Sequence, residues 1–339
     1  MEFFGSKLIF PKMLKMHFVA AALFAVFFAI CFVSIASEVP IDLDSPTGTI
    51  KGTLTTPSGG LKPPVVLIIA GSGPTDRDGN APTAAGKNDS LKMLSEALKD
   101  NGFASVRYDK RGVAASVKSA PGESDLRIED YVQDAASWVS KLSADSRFSG
   151  VVVLGHSEGS LIGMLAAQSS PAAAFISLAG PGDKAATTLR RQMLGRLPPA
   201  LAERSEAILQ SLEAGRTTSD VPTQLLSLYR PSVQPYLVSW FRYSPADEVA
   251  KLKMPCLFVQ GDTDIQVAVS DAQRLHSANA SCQLTVISGM NHVLKSVPAD
   301  RAKQLASYGD PTLSIAPELP QVITGFVTSA PVKAALGPH

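Results

Sequence analysis

Short, largely apolar runs recur along most of the chain, separated by segments whose apolar positions fall at helical spacing. Val65–Ala70, Ala104–Tyr108, Val151–Leu154, Ala173–Leu178, Cys256–Gln260 and Cys282–Ile287 read as strands, most of them buried. Between them, Leu91–Asp100, Ile128–Leu142, Ser160–Ala167 and Ala268–Ala278 read as helices, and an amphipathic segment, about Ala316–Thr328, follows the last strand. Strands alternating with helices imply an α/β fold built on a mostly parallel, doubly wound sheet. Both faces are covered, and ligands are received at the carboxyl ends of the strands. Ahead of this pattern, Val39–Leu43 and Thr49–Thr55 flank Asp44-Ser45-Pro46-Thr47-Gly48, which predicts an antiparallel hairpin. The alternation stops near Gly182. Residues 183–250 carry helical segments, Ala185–Arg196, Leu201–Ala214 and Thr223–Leu228, with prolines between them and no strand pattern. So long an insertion between two core strands predicts a helical cap over the strand ends. The core then lies in two parts, 37–182 and 251–339.

Phe18–Ala36 is apolar and uncharged, follows Lys7, Lys12 and Lys15, and ends in Ser34-Ile35-Ala36, a small-x-small pattern that suits signal peptidase. The expectation is a signal peptide at residues 1–36 and a periplasmic or secreted protein. The apolar run is near bilayer length, so an uncleaved membrane anchor is the alternative. Met13 and Met16 allow a later start, and Ile30 before Cys31 does not suit a lipoprotein site. The formal charge is +1, from 31 basic and 30 acidic residues, and losing the leader's three Lys and one Glu makes it −1. Nothing in that balance favours nucleic acid as a partner; a small neutral substrate is the simpler expectation. Without the leader, Cys256 and Cys282 remain, near the starts of two neighbouring strands. They can pair in an oxidising compartment or stay as two buried thiols, and no C-x-x-C spacing suggests a metal.

The candidate chemistry centres on Gly155-His156-Ser157-Glu158-Gly159, a G-x-S-x-G pentapeptide between an apolar strand and a helix. In a nucleophile elbow, glycines beside the serine relieve crowding at a strained turn and leave the hydroxyl exposed. The pentapeptide is short, so its context must carry the inference. A serine hydroxyl needs a base to take its proton and a carboxylate to orient that base. Of five histidines, His17 lies in the leader, His339 ends the chain, His156 is inside the elbow and His276 sits within a helix. His292, in the loop after the last strand, is the expected base. The carboxylate belongs between serine and histidine and after a strand, as Gly261-Asp262-Thr263-Asp264 is. Asp264 is preferred because a turn separates it from the strand; Asp262 is the alternative and better placed to shape that turn. The oxyanion donors are expected to be the Glu158 N–H, whose side chain need not take part, and the Ser72 N–H in Ala70-Gly71-Ser72-Gly73-Pro74, with Gly73 as the alternative. The glycine loop has neither G-x-G-x-x-G nor a P-loop lysine, so nucleotide binding is not indicated.

Two longer motifs, Gly71-Ser72-Gly73-Pro74-Thr75-Asp76-Arg77-Asp78-Gly79-Asn80 and Arg107-Tyr108-Asp109-Lys110-Arg111-Gly112, accompany the pentapeptide. With them the chain resembles the α/β-hydrolase superfamily, and within it bacterial esterases carrying GSGPxDRDGN and RYDKRG loops, from about Ile50 to the C-terminal helix. The resemblance implies the fold, roles for Ser157, Asp264 and His292, and carboxylic-ester hydrolysis without metal or organic cofactor. It leaves the substrate and oligomeric state open. Asp76, Arg77, Asp78 and Arg111 are expected to brace their loops with salt bridges. The same triad serves peptidases, thioesterases and acyltransferases. A catalytically silent, extracellular binding module is the alternative of another class, and the presence of every required residue type argues against it. Trp240, Phe241, Tyr229 and Tyr236 are candidates either for an acyl pocket or for packing the cap onto the core.

Overall fold

The computed structural model of the protein describes residues 1–2, 37–59, 62–82, 86–193 and 195–337. Residues 3–36 of the expected leader, among them His17 and Cys31, lie outside the described residues, as does His339. The first two strands, β1 (Ser37–Ser45) and β2 (Gly48–Thr56), form the antiparallel hairpin that the sequence predicts. Then follow β3 (Val65–Ile69), α1 (Ser90–Asp100), β4 (Ala104–Tyr108), α2 (Ile128–Ser143), β5 (Val151–His156), α3 (Glu158–Gln168) and β6 (Ala172–Leu178). The segment between β6 and the next strand holds α4 (Ala185–Met193), α5 (Pro199–Glu213), α6 (Leu226–Tyr229), α7 (Gln234–Phe241) and α8 (Pro245–Val249), with no strand among its described residues. The chain closes with β7 (Cys256–Gly261), α9 (Val269–Ala278), β8 (Gln283–Ile287), α10 (Arg301–Ser307), α11 (Glu318–Val327) and α12 (Ala330–Ala335).

The eight strands form one sheet in the order β1-β2-β4-β3-β5-β6-β7-β8, parallel from β4 to β8 and antiparallel where β2 meets β1 and β4. Every residue of β3, β4, β5 and β7 is buried, which is why these strands read as apolar runs rather than as alternating ones. Successive side chains still point to opposite faces. Val65, Leu67, Ile69, Val151 and Val153 join the layer formed with α2 and α3, whereas Val66, Ile68, Val152 and Leu154 join Leu91, Leu94 and Leu98 of α1 and Leu319 and Ile323 of α11. The two-sided cover expected of a doubly wound sheet is present. The β3 strand has β4 on one side and β5 on the other, so chain direction across the sheet reverses there, and the crevice between the carboxyl ends of β3 and β5 is the place such sheets keep for a ligand.

Cys256 opens β7 and Cys282 immediately precedes β8, and their neighbours Leu257 and Gln283 are register partners. The open question about these cysteines is resolved: they form a disulfide between adjacent strands. The bond closes a loop spanning 26 positions. Such a loop, cross-linked, loses unfolded-state entropy worth about 3–4 kcal/mol. Replacing both cysteines by serine is therefore expected to lower the chemical-denaturation stability by about that amount, and a reductant should lower the melting temperature of the parent but not of the variant. A parent whose melting is indifferent to reductant contradicts this.

Candidate active site

β5 ends at His156 and α3 begins at Glu158, so Ser157 alone turns the chain from strand to helix. Its backbone stands at φ 55°, ψ −121°, a sparsely populated region for a residue with a side chain, at a cost of about 1–3 kcal/mol. Two close approaches hold it there. A Cβ on Gly155 would lie 2.1 Å from the Gly159 carbonyl oxygen, and one on Gly159 would lie 2.3 Å from the carbonyl oxygen of Ile69 on β3. Strand, turn and helix thus pass closer than any side chain allows. The Ser157 N–H donates to the Leu178 carbonyl of β6 at 3.0 Å, which ties the turn to the neighbouring strand.

Ser157, His292 and Asp264 come from loops after β5, β8 and β7, and the structure brings them into one row. His292 Nε2 lies 3.1 Å from Ser157 Oγ, and His292 Nδ1 lies 2.8 Å from Asp264 Oδ2. An ionised carboxylate only accepts, so Nδ1 carries the imidazole proton and Nε2 presents its lone pair to the hydroxyl. The Asp264 side chain is fully buried. Burial pushes its carboxyl up, but His292 and the amides of Val267 and Gln266 outweigh that and hold it below the ordinary range. Gln260 Nε2 donates to the same carboxylate at 3.0 Å. Asp262 accepts instead from Gly289 N at 2.6 Å and Ser288 Oγ at 3.1 Å, bracing the loop that leads to His292. His276 lies on α9, half-buried, outside the row.

His156 has a place that its position in the pentapeptide did not disclose. Its ring lies 5.0 Å from that of His292, and its Nε2–H donates to the His292 carbonyl at 2.8 Å. Burial, and then the neighbouring His292, lower its pKa to about 4, so it is neutral near pH 7.

Ser72 lies just beyond β3, and a Cβ on Gly71 would be 3.2 Å from the Cβ of Ser157. The Glu158 amide is in the first turn of α3, where helix N–H groups have no intrahelical acceptor. The Glu158 side chain, which the oxyanion role of its amide does not require, is buried and engaged. Its Oε2 accepts from Lys110 Nζ at 3.1 Å and its Oε1 from the Tyr236 hydroxyl at 2.6 Å. Lys110 Nζ also donates to the Gly71 carbonyl at 2.5 Å. No spacing rule links positions 48 and 78 residues apart; the available signal was a lysine next to a buried strand. The loop charges do brace: Arg77 pairs with Asp109 at 2.7 Å, Arg107 with Asp78 and Glu38, and Arg111 with Asp134 at 2.5 Å, while Asp76 accepts from the amides of Asp78 and Asn80.

Ser72, Ser157 and Glu158 open on a cavity of about 480 Å³ between the sheet ends and the helices of 183–250. Leu126, Tyr131, Leu161, Leu189, Leu237 and Trp240 give it largely apolar walls. The four aromatic candidates divide. Tyr236 and Trp240 line the cavity, whereas Tyr229 and Phe241 are buried in packing, with the Tyr229 hydroxyl 3.0 Å from Ser205 Oγ. Among the described residues no cluster of His, Cys, Asp and Glu is arranged to hold a metal ion.

Comparison with known proteins agrees with this architecture. A family described as serine aminopeptidase, S33, matches residues 87–236. The esterase EstD of Thermotoga maritima is 26% identical over 264 residues, covering 75% of this chain; the chain spans 61% of that relative's length. The esterase Est1E of Butyrivibrio proteoclasticus, solved with ferulic acid bound, superposes with a TM-score of 0.57 at 19% identity, over 85% of this chain and 100% of its own. A puromycin-hydrolyzing peptidase of Mycobacterium tuberculosis gives 0.53 at 17% identity, over 90% of this chain and 40% of its own. With its eight-stranded, mostly parallel sheet and helices on both faces, the chain has an α/β-hydrolase fold.

Proposed function

We propose that the protein is a serine hydrolase that cleaves carboxylic esters of small to medium acyl groups through an acyl-enzyme on Ser157. The observation that carries this reading is the row from Asp264 through His292 to Ser157, 2.8 and 3.1 Å, opening on an apolar cavity. His292 Nε2 takes the Ser157 proton as Oγ attacks the acyl carbonyl, and the carbonyl's π pair moves onto oxygen. The Ser72 and Glu158 amides hold that oxyanion. Its collapse expels the alkoxide, which receives the proton from His292. Water, activated by the same imidazole, then adds to the acyl-enzyme and releases acid and Ser157. Asp264 keeps the imidazole in the tautomer that accepts at Nε2 and stabilises the imidazolium, and the hydrogen bond from His156 fixes the His292 backbone. None of these steps uses a metal or cofactor.

Resemblance to the esterase EstD favours esters, and the match to the S33 aminopeptidase family favours amide cleavage as the second reading. The walls supplied by Leu189, Leu237 and Trp240 support a cap role for residues 183–250, with an uncharged acyl group as occupant. The Cys256–Cys282 bond supports an oxidising compartment, periplasmic or extracellular, reached through residues 1–36 as signal or anchor.

Hydrolysis of p-nitrophenyl esters of graded chain length is expected to exceed that of aminoacyl arylamides, and arylamide preference would favour the peptidase reading. Ser157→Ala should abolish turnover, and Asp264→Asn should reduce kcat about 10³–10⁴-fold with the fold intact. Wild-type turnover by either contradicts the assigned role. A second expectation concerns His156. The unfolded chain protonates it near 6.5 and the folded protein only near 4, so its contribution to stability is present above pH 6.5 and lost as pH falls toward 4. Between pH 7 and 4.5 the parent should lose about 2 kcal/mol more than His156→Gln, which retains an N–H donor, in denaturant titrations. Equal losses contradict a neutral, buried His156.

A further inference from the structure

Lys110 is the least expected side chain near the site. It and Glu158 form an ion pair in which each side chain is only 1% exposed. Taking both charges out of water is unfavourable enough that well-packed apolar residues commonly serve a core as well or better, so packing alone does not account for the pair. What distinguishes it is the set of atoms it touches. The ammonium reaches the Gly71 carbonyl at 2.5 Å and Glu158 Oε2 at 3.1 Å, and lies 5.2 Å from the centre of the Tyr131 ring. Its donors are thus spent on the two segments, after β3 and after β5, that carry the proposed oxyanion amides.

The Gly71 carbonyl and the Ser72 N–H belong to one peptide group. No described peptide bond is cis, so these two dipoles point in opposite directions from a single plane. An ammonium that captures the carbonyl from one side turns the N–H to the other and polarises it, strengthening it as a donor. The next carbonyl is also held: Ser72 O accepts from Thr75 Oγ1 at 2.8 Å. On the far side of the ion pair, Glu158 Oε1 accepts from the hydroxyl of Tyr236, a residue of α7. The link therefore runs from the loop after β3, through Lys110 and Glu158, to a helix of the 183–250 segment that also walls the cavity.

We propose that Lys110 is a positioning residue for the oxyanion site: anchored by Glu158, its ammonium sets the Gly71–Ser72 peptide so that the Ser72 N–H faces the developing charge, and Tyr236 makes that setting depend on the seating of α7. This rests on the esterase reading above. Lys110 lines the cavity, but its hydrogen bonds go to the Gly71 carbonyl and Glu158 Oε2 rather than to Ser157 or His292, so its loss should affect stabilisation of the oxyanion more than ground-state binding.

The test compares Lys110→Met/Glu158→Gln, which removes both buried charges together and retains the Glu158 amide, with Tyr236→Phe, which removes one hydroxyl and retains the ring. Each is assayed for kcat and KM on a p-nitrophenyl ester, for melting temperature, and for inhibition by two acyl-shaped compounds. One is a trifluoromethyl ketone: Ser157 Oγ bonds to its carbonyl carbon, the carbonyl π pair becomes an oxyanion, and the serine proton passes to His292. The other is the corresponding carbinol, which forms no oxyanion. The double variant is expected to hold KM within twofold and lower kcat about 10²-fold. Its affinity for the ketone should fall by a similar factor, with carbinol binding unchanged. Tyr236→Phe should lower kcat about tenfold in the same pattern, and it carries the test alone if the double variant does not fold. Unchanged kcat and ketone affinity in the folded variants, or equal weakening of ketone and carbinol, overturns the proposal. If Ser157→Ala turns over like the parent, the esterase reading itself fails; if it is inactive while the Lys110 and Tyr236 variants behave as wild type, only the positioning role fails.

Discussion

Ser157 is held at φ 55° by the contact of three backbones, because β3, the end of β5 and the start of α3 meet where Gly155 and Gly159 have no side chains. The geometry of the site follows from that contact. It lifts the hydroxyl above the strand ends and brings the Glu158 amide to the open end of α3. It also sets the loop after β3 against the serine, with Gly71 beside the Ser157 Cβ. The local strain of about 1–3 kcal/mol is small against the burial of β3, β5 and most of α3, so a well-packed core can keep a single residue in an unfavourable conformation.

A second layer of order comes from the run at the end of β4. Each charged residue of Arg107-Tyr108-Asp109-Lys110-Arg111 reaches a different partner: Asp78, Arg77, Glu158 and Asp134 in turn for Arg107, Asp109, Lys110 and Arg111. Tyr108 between them packs its ring 5.6 Å from Trp138 of α2. One short segment thus ties the loop after β3, the elbow helix and α2 together. Exposed pairs elsewhere, such as Lys51 with Asp42, are screened by water and add little. The buried ones lose much if a single partner is removed, which makes them effective at fixing loops in place.

The sheet was legible in the sequence because strands covered on both faces must be apolar throughout; β4 coincides with its expected span, and β3, β5, β6 and β7 lie within two residues of theirs. The 183–250 segment was legible as helical but not in detail. The α7 helix escaped notice because Pro235 sits in its first turn and its buried residues surround it, leaving no amphipathic stripe, and α10 and α12 are too short to set up a period. At the site, chain order and strand ends were enough to point to Ser157 and His292 and to narrow the carboxylate to Asp264, the preferred residue, or Asp262, since loops after parallel strands converge on one rim. The Lys110–Glu158–Tyr236 link and the bond from His156 to the His292 carbonyl join residues by tertiary proximity alone, which no local pattern records.

Every step proposed for the site requires that the His292 imidazole make the Ser157 hydroxyl nucleophilic. Exposure of the full-length protein to a fluorophosphonate, followed by intact-mass measurement and peptide mapping, tests it most directly. A single adduct on Ser157 is expected, formed rapidly near neutral pH and lost when His292 is replaced by alanine. An unmodified protein, or an adduct on another serine such as the neighbouring Ser160, would contradict it.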